Sequence, residues 1–228
     1  MLAIKNVLVS IALTLPMVGL GGNIDWKSDK WSFVQENEGI KVYKKSFAGN
    51  PITGVGGEGI INAPMGKIVW VLMDNAHKSD WVDKFMDART LATPSPKESI
   101  QYGSFKMPLI VDNRDFVYKY TFRSDKNILI VDVVSVTHPD ADPKDTVGVR
   151  GNIVMGQYTL KPLDGGKRTF VQVKYLADPK GLLPNWVVNV VQKTWPLKTL
   201  QGLQRQVKKP FVKDHPMIGN QFQTLLSH

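Results

Sequence analysis

Several groupings of residues in this chain are of types that could do chemistry. Gly54, Gly56 and Gly59 match the G-x-G-x-x-G spacing that cradles a pyrophosphate at a helix N-terminus. Their context opposes that use, because Ile60-Ile61-Asn62 continues an extended pattern and Pro64 starts a helix too late. His77, His138, His215 and His228 are scattered, with no H-x-x-x-H, H-E-x-x-H or paired carboxylates at ligand spacing, so no metal and no cofactor is expected. Ser135 lies near His138 but lacks the G-x-S-x-G elbow of a hydrolase nucleophile. Asp80, Asp83 and Asp87 read as solvent-facing carboxylates. Cysteine is absent, which removes disulfides, thiolate metal sites, catalytic thiols and lipidated cysteines together.

Charged residues remain as candidates. Arg114 and Asp115 are adjacent in an extended segment, so they point to opposite faces and each needs a separate partner. A buried ion costs several kcal/mol unless paired, and structural roles suit both, Arg114 holding a turn through carbonyls or a carboxylate. Arg150, near the start of a strand, has either a structural role or that of a guanidinium gripping a phosphate or carboxylate head group.

The elements that position these residues follow from periodicity. Trp31 to Asn37 suggests a short helix ended by Gly39; Ile40 to Phe47 and Ile52 to Asn62 read as strands, and Pro64 opens a helix through Asp74. Strands are predicted over 84–93, 99–107, 115–123, 127–137, 149–161 and 169–177, separated by short turns and therefore antiparallel. In the third of these, Phe116, Tyr118, Tyr120 and Phe122 share one face, expected to point inward. A long helix from Pro184 to Val207 carries Trp186, Val187, Val190, Val191 and Trp195 on one wide arc, with Pro196 expected to kink it. Strands followed by one amphipathic helix predict an α+β domain in which a curved sheet grips that helix.

With 228 residues and 43% hydrophobic content the chain suits one core, and no repeat or low-complexity linker divides it. Lys5, the apolar run Val7 to Leu15, Pro16 and Gly19-Leu20-Gly21 read as a secretory signal over residues 1–22, or alternatively as an uncleaved membrane anchor. Export, without any Asn-x-Ser/Thr sequon, favours a bacterial periplasm. The net charge of +9 concentrates in Lys193, Lys198, Arg205, Lys208, Lys209 and Lys213. An exported chain without a nucleic-acid motif points this cluster to anionic lipid head groups, or to a merely solvated helix face.

Four ordered strings then matter: Asn113-Arg114-Asp115-Phe116-Val117, Ser135-Val136-Thr137-His138-Pro139, Gly148-Val149-Arg150 and Asp178 through Trp186. Together they resemble the START family, the lipid-transfer domains related to steroidogenic acute regulatory protein, and Tyr43, Asp74 and Trp81 fit the same pattern. The resemblance runs from about Trp26 to Val207. It implies a helix-grip fold, a nine-stranded antiparallel sheet around the C-terminal helix, and a tunnel that holds one lipid for transfer without turnover. The leader departs from familiar animal members, which work in the cytosol. Some sterol-binding members place an arginine near Tyr120 and an acid near Gly103 or Ser104, a pattern missing from this sequence.

The expected protein is therefore a periplasmic, monomeric, non-enzymatic carrier, with residues 23–209 as the binding domain and 210–228 as a tail. Its predicted ligand contacts are Trp81, Tyr102, Phe116, Tyr118, Tyr120, Arg150 and Tyr158 from the sheet and its turns, and Trp186, Val187, Val190 and Val191 from the helix. The turn at 178–184 and the loop His138 to Gly148 are expected to form the mouth. An enzyme on the same scaffold, of aromatic polyketide cyclase or hydrolase type, and a membrane-tethered lipid sensor are the alternatives.

Overall fold

The structure, a computed structural model, describes residues 24–108 and 110–220; the predicted leader lies outside them. Ten strands form one sheet: β1 (Ser32–Asn37), β2 (Ile40–Phe47), β3 (Asn50–Ile61), β4 (Phe85–Ser95), β5 (Glu98–Phe105), β6 (Asn113–Asp125), β7 (Ile128–Ser135), β8 (Gly148–Arg150), β9 (Asn152–Leu163) and β10 (Arg168–Asp178). Their order is β1-β2-β3-β10-β9-β7-β6-β5-β4, with β8 adding a short parallel pairing to β6. Helices α1 (Met65–Met73), α2 (Asn185–Gln206) and α3 (Pro216–Asn220) complete the described chain. The predicted helix-grip architecture is the one observed.

Two local expectations are corrected. Residues 32–37 form a strand, not a helix, because pairing with β2 satisfies backbone groups that an edge would leave open. Glu38 and Gly39, both at positive φ, make the tight hairpin turn that we read as a helix end. The single strand expected over 149–161 is divided at Gly151, where a Cβ would lie 2.2 Å from the Phe116 ring.

The inner sheet face carries Ile40, Val42, Ile61, Val131, Val133, Leu160, Val171 and Val173, all buried, and the same core takes in Ile68, Val69 and Leu72 of α1. Helix α2 runs unbroken through Pro196, and its second half presses Leu200, Leu203 and Val207 into this core. Two glycines make that approach possible. A Cβ on Gly57 would stand 3.0 Å from Pro196 Cβ, and one on Gly202 would stand 2.5 Å from the Trp81 carbonyl oxygen. The glycine-rich β3 thus serves packing on both faces, since on its outer side Gly56 leaves room for Trp26.

On that outer face the chain enters at Ile24, whose backbone N–H donates to Gln172 Oε1 at 2.8 Å while Gln172 Nε2 donates back to its carbonyl at 2.9 Å. Trp26 stacks on Tyr43 at 4.5 Å and donates to Glu58 at 2.6 Å. At the other end, the described part of the expected tail, residues 210–220, packs onto the body. Val212 is buried in the core, Phe211 stacks on His77 at 4.2 Å, and His215 N–H donates to the Gly66 carbonyl.

Replacing Gly202 by valine should force α2 off the Trp81 backbone. We expect a loss of about 2 kcal/mol, the usual scale of overpacking, read as an earlier midpoint in urea unfolding.

Candidate ligand-binding site

Alternation along β6 sets Arg114, Phe116, Tyr118, Tyr120 and Phe122 on the inner face. Tyr158 of β9 and Tyr175 of β10 join them, and Trp195 of α2 closes over Tyr175 at 4.8 Å. The rings meet edge to face, Tyr118 with Tyr120 at 5.3 Å and Tyr158 with Tyr175 at 6.0 Å. Burial pushes the Tyr118 phenol up to about 12 and raises those of Tyr120, Tyr158 and Tyr175 as well. These groups are therefore neutral hydrogen-bonding partners at ordinary pH and poor bases.

Of the predicted contacts, the structure brings Trp81, Tyr118, Tyr120 and Tyr158 together in the main core, with Phe116 partly buried against it; Val187 of α2 is also buried. Tyr175 and Trp195, not among the predicted contacts, pack in the same cluster. The parity of Tyr175 with Val171 and Val173 along the predicted strand was the available signal.

The rest are corrected. Trp186, Val190 and Val191 are about half exposed instead of facing inward. Contact of Pro196, Leu200 and Leu203 with the sheet fixes the rotation of α2, and the apolar arc of its first half is wider than the surface it covers. Tyr102 is on the outer face, paired in register with Val117 and packed with Ala141. Arg150 is there too, bound to a carboxylate.

That carboxylate is Asp115, fully buried and accepting four hydrogen bonds. Arg150 Nε reaches Oδ1 at 2.6 Å and Nη2 reaches Oδ2 at 3.3 Å; Thr146 Oγ1 and the Tyr102 hydroxyl donate at 3.0 and 3.2 Å. Arg150 also donates to the Ala141 carbonyl, and Arg89 lies 4.4 Å above the Tyr102 ring. The loop expected as one lip of the mouth, His138 to Gly148, is thus pinned across the outer face.

The other expected lip, the turn at 178–184, borders an opening with residues 110–112 instead. Ile110, Val111 and Asp112 on one side, Gly181 and Leu182 on the other, with Val149 and Arg114 between, line a cavity of about 300 Å³. Leu182 is 98% exposed and Ile110 74%, and Trp186 and Val190 continue this apolar tip along the first turns of α2. A second cavity, of about 560 Å³, is a groove on the outer face along Ile24, Trp26, Trp31, Phe33 and Tyr43. Neither is lined by the inner tyrosines.

Two predictions come from these buried groups. Asp115→Ala strands Arg150 without its carboxylate and should cost about 3 kcal/mol of stability, against about 1 for Tyr102→Phe, by chemical unfolding. Lys78, buried with its ammonium on the Leu72 carbonyl, has its pKa lowered by burial to about 8. The unfolded chain, with an ordinary lysine, binds more protons between pH 8 and 10.5, so this group's contribution to stability rises with pH there. Between pH 8 and 9.5 the native chain should gain about 1.5 kcal/mol relative to Lys78→Met. Above pH 10 the raised phenols act oppositely, because the unfolded chain then loses protons that the folded one keeps.

Comparison with known proteins agrees with this geometry. Residues 22–210 match the START domain family. An uncharacterized protein of Pseudomonas aeruginosa is 25% identical over 209 residues, covering 90% of this chain and 99% of that one. The crystal structure of a STAR-related lipid transfer protein fragment from Xanthomonas axonopodis is 30% identical, with a TM-score of 0.68 over 78% of this chain and 99% of that chain. Human STARD10 shares the fold, with a TM-score of 0.70 at 20% identity over 85% of this chain and 82% of that one. With a family match spanning most of its length and its sheet wrapped around α2, this chain belongs to the START domain family.

Proposed function

We propose that this chain is an exported, non-enzymatic carrier that holds one lipid or similar amphiphile between the tyrosine-bearing sheet face and α2. The observation that carries the reading is the exposed apolar tip of Ile110, Leu182, Trp186 and Val190, at the end where α2 is least tied to the sheet. Exposed apolar side chains at the cavity rim and on the first turns of the helix that follows it suit contact with a bilayer. Each methylene that leaves water gains about 0.8 kcal/mol, so an acyl chain requires an enclosed apolar wall during transit.

Carriage without turnover is supported by the chemistry of the interior, whose phenols stay neutral, and by Arg150, whose charge is already taken by Asp115. Export is supported by Lys5 and the apolar run Val7 to Leu15, and the periplasm is the compartment we assign. Arg205, Lys208, Lys209 and Lys213 stand at the far end of α2, roughly 30 Å from Trp186 at 1.5 Å per residue. Docking in this reading therefore runs through the apolar tip, with those cations directed away from it.

Organic extraction of the purified chain followed by mass spectrometry should release one amphiphile per protein, and consistent recovery of none would sink the proposal. Intact mass after cell fractionation reports export and whether residues 1–22 have been removed. Leu182→Asp combined with Trp186→Asp should slow transfer of a fluorescent lipid between vesicles by about tenfold or more, since a carboxylate in an apolar contact costs above 1.4 kcal/mol. The unfolding midpoint should be unchanged.

A further inference from the structure

Two arginines flank Asp115, and only one of them receives its charge. Arg150 takes the carboxylate. Arg114, 3% exposed, is in no ion pair among the described residues. Its guanidinium donates to main-chain carbonyls alone: Nε to Pro179 at 2.7 Å, Nη2 to Lys180 at 3.1 Å, and Nη1 to Asp112 and Asn113. Asp178 pairs with Lys180, and Asp112, itself solvent-exposed, acts on this cation through its charge without forming an ion pair with it. A buried guanidinium that lacks an ion-paired carboxylate is costly, and the fold nonetheless keeps one at the opening between the two apolar lips.

The position suits an anion from outside. Arg114 lines the 300 Å³ cavity with Ile110, Val111, Val149 and Leu182, and it heads the inner-face row that continues through Phe116, Tyr118 and Tyr120. At about 3.4 Å per residue, that row extends roughly 20 Å inward from the guanidinium. Gly181, at positive φ, brings the turn close, where even a Cβ would stand only 3.4 Å from Arg114 Nη2. A few residues on, α2 starts after Pro184, which offers no side-chain cap, and has no acid in its first turn, so its positive end also lacks a paired carboxylate.

We propose that Arg114 is the head-group site of the carrier, exchanging its carbonyl partners for the phosphate of an anionic amphiphile whose tail follows the β6 row. This rests on the carrier reading and narrows its ligand to phosphate-bearing lipids. Since the same carbonyls belong to both lips, 112–113 and 179–180, capture of the phosphate would also untie them from each other.

Calorimetry on the full chain, with short-tailed phosphatidic acid, the diacylglycerol of the same tails, and inorganic phosphate as probes, tests it. The native protein should prefer phosphatidic acid over diacylglycerol by about tenfold or more, the scale of a charged hydrogen bond. Arg114→Met should abolish the preference, bringing phosphatidic acid and diacylglycerol to equal affinity in that variant, and Arg114→Lys should restore part of it. Should the methionine variant fail to fold, amide exchange of the native protein at 110–113 and 179–182 must rise with phosphatidic acid and not with diacylglycerol; equal exchange overturns the proposal. Equal affinity of the native protein for both lipids overturns the head-group site and leaves the carrier standing. Binding neither lipid removes both. Inorganic phosphate bound as tightly as phosphatidic acid would make this a free-anion site and overturn the head-group assignment.

Discussion

Helix α2 can lie on the backbone of its neighbours only where side chains are missing, and Gly57 and Gly202 supply those two places. Contact there fixes both the depth and the rotation of the second half of the helix, sinking Leu200 and Leu203 completely. The first half inherits that rotation without the contacts. Its valines and Trp186 consequently spread beyond what the sheet can cover, and an apolar end is left exposed without any strain in the core. A domain tied down at one end of a helix can loosen the other end locally, at a cost well below that of global unfolding.

Much of this was legible in the sequence. Alternation located β2, β3, β4 to β7 and β10, and the strings around Arg114, Arg150 and Trp186 carried the family resemblance before any coordinates. What failed did so for identifiable reasons. Strand β1 forms because of a partner supplied by β2, which local propensity does not register. Tyr102 was assigned inward by residue type, yet its face is decided by pairing with Val117 across β5 and β6, and register is not readable from one strand alone. The phase of α2 was read from its own apolar arc, whereas glycines 57 and 202, far away in sequence or small enough to pass unnoticed, set it.

Electrostatics divides the molecule in a comparable way. Asp115 points to the face opposite Arg114, and the parallel pairing of β8 with β6 gives it to Arg150 by register. The outcome is an ion-paired cluster beneath the 138–147 loop and, at the lips, a buried cation held by carbonyls alone. The closed cluster holds the outer layer rigid. A scaffold for binding has use for both, since a site can be responsive only against something that does not move with it.

The grip of Gln172 on Ile24 bears on where the folded chain can be cut. Both main-chain atoms of that residue are taken, and Trp26 is wedged against Tyr43 two positions later. A peptidase needs an extended, unencumbered stretch of several residues to thread its cleft, so once folding is complete no cut can fall at or just after this clasp. Cutting the folded protein here would first require opening the clasp, with loss of both hydrogen bonds and of the Trp26 stack.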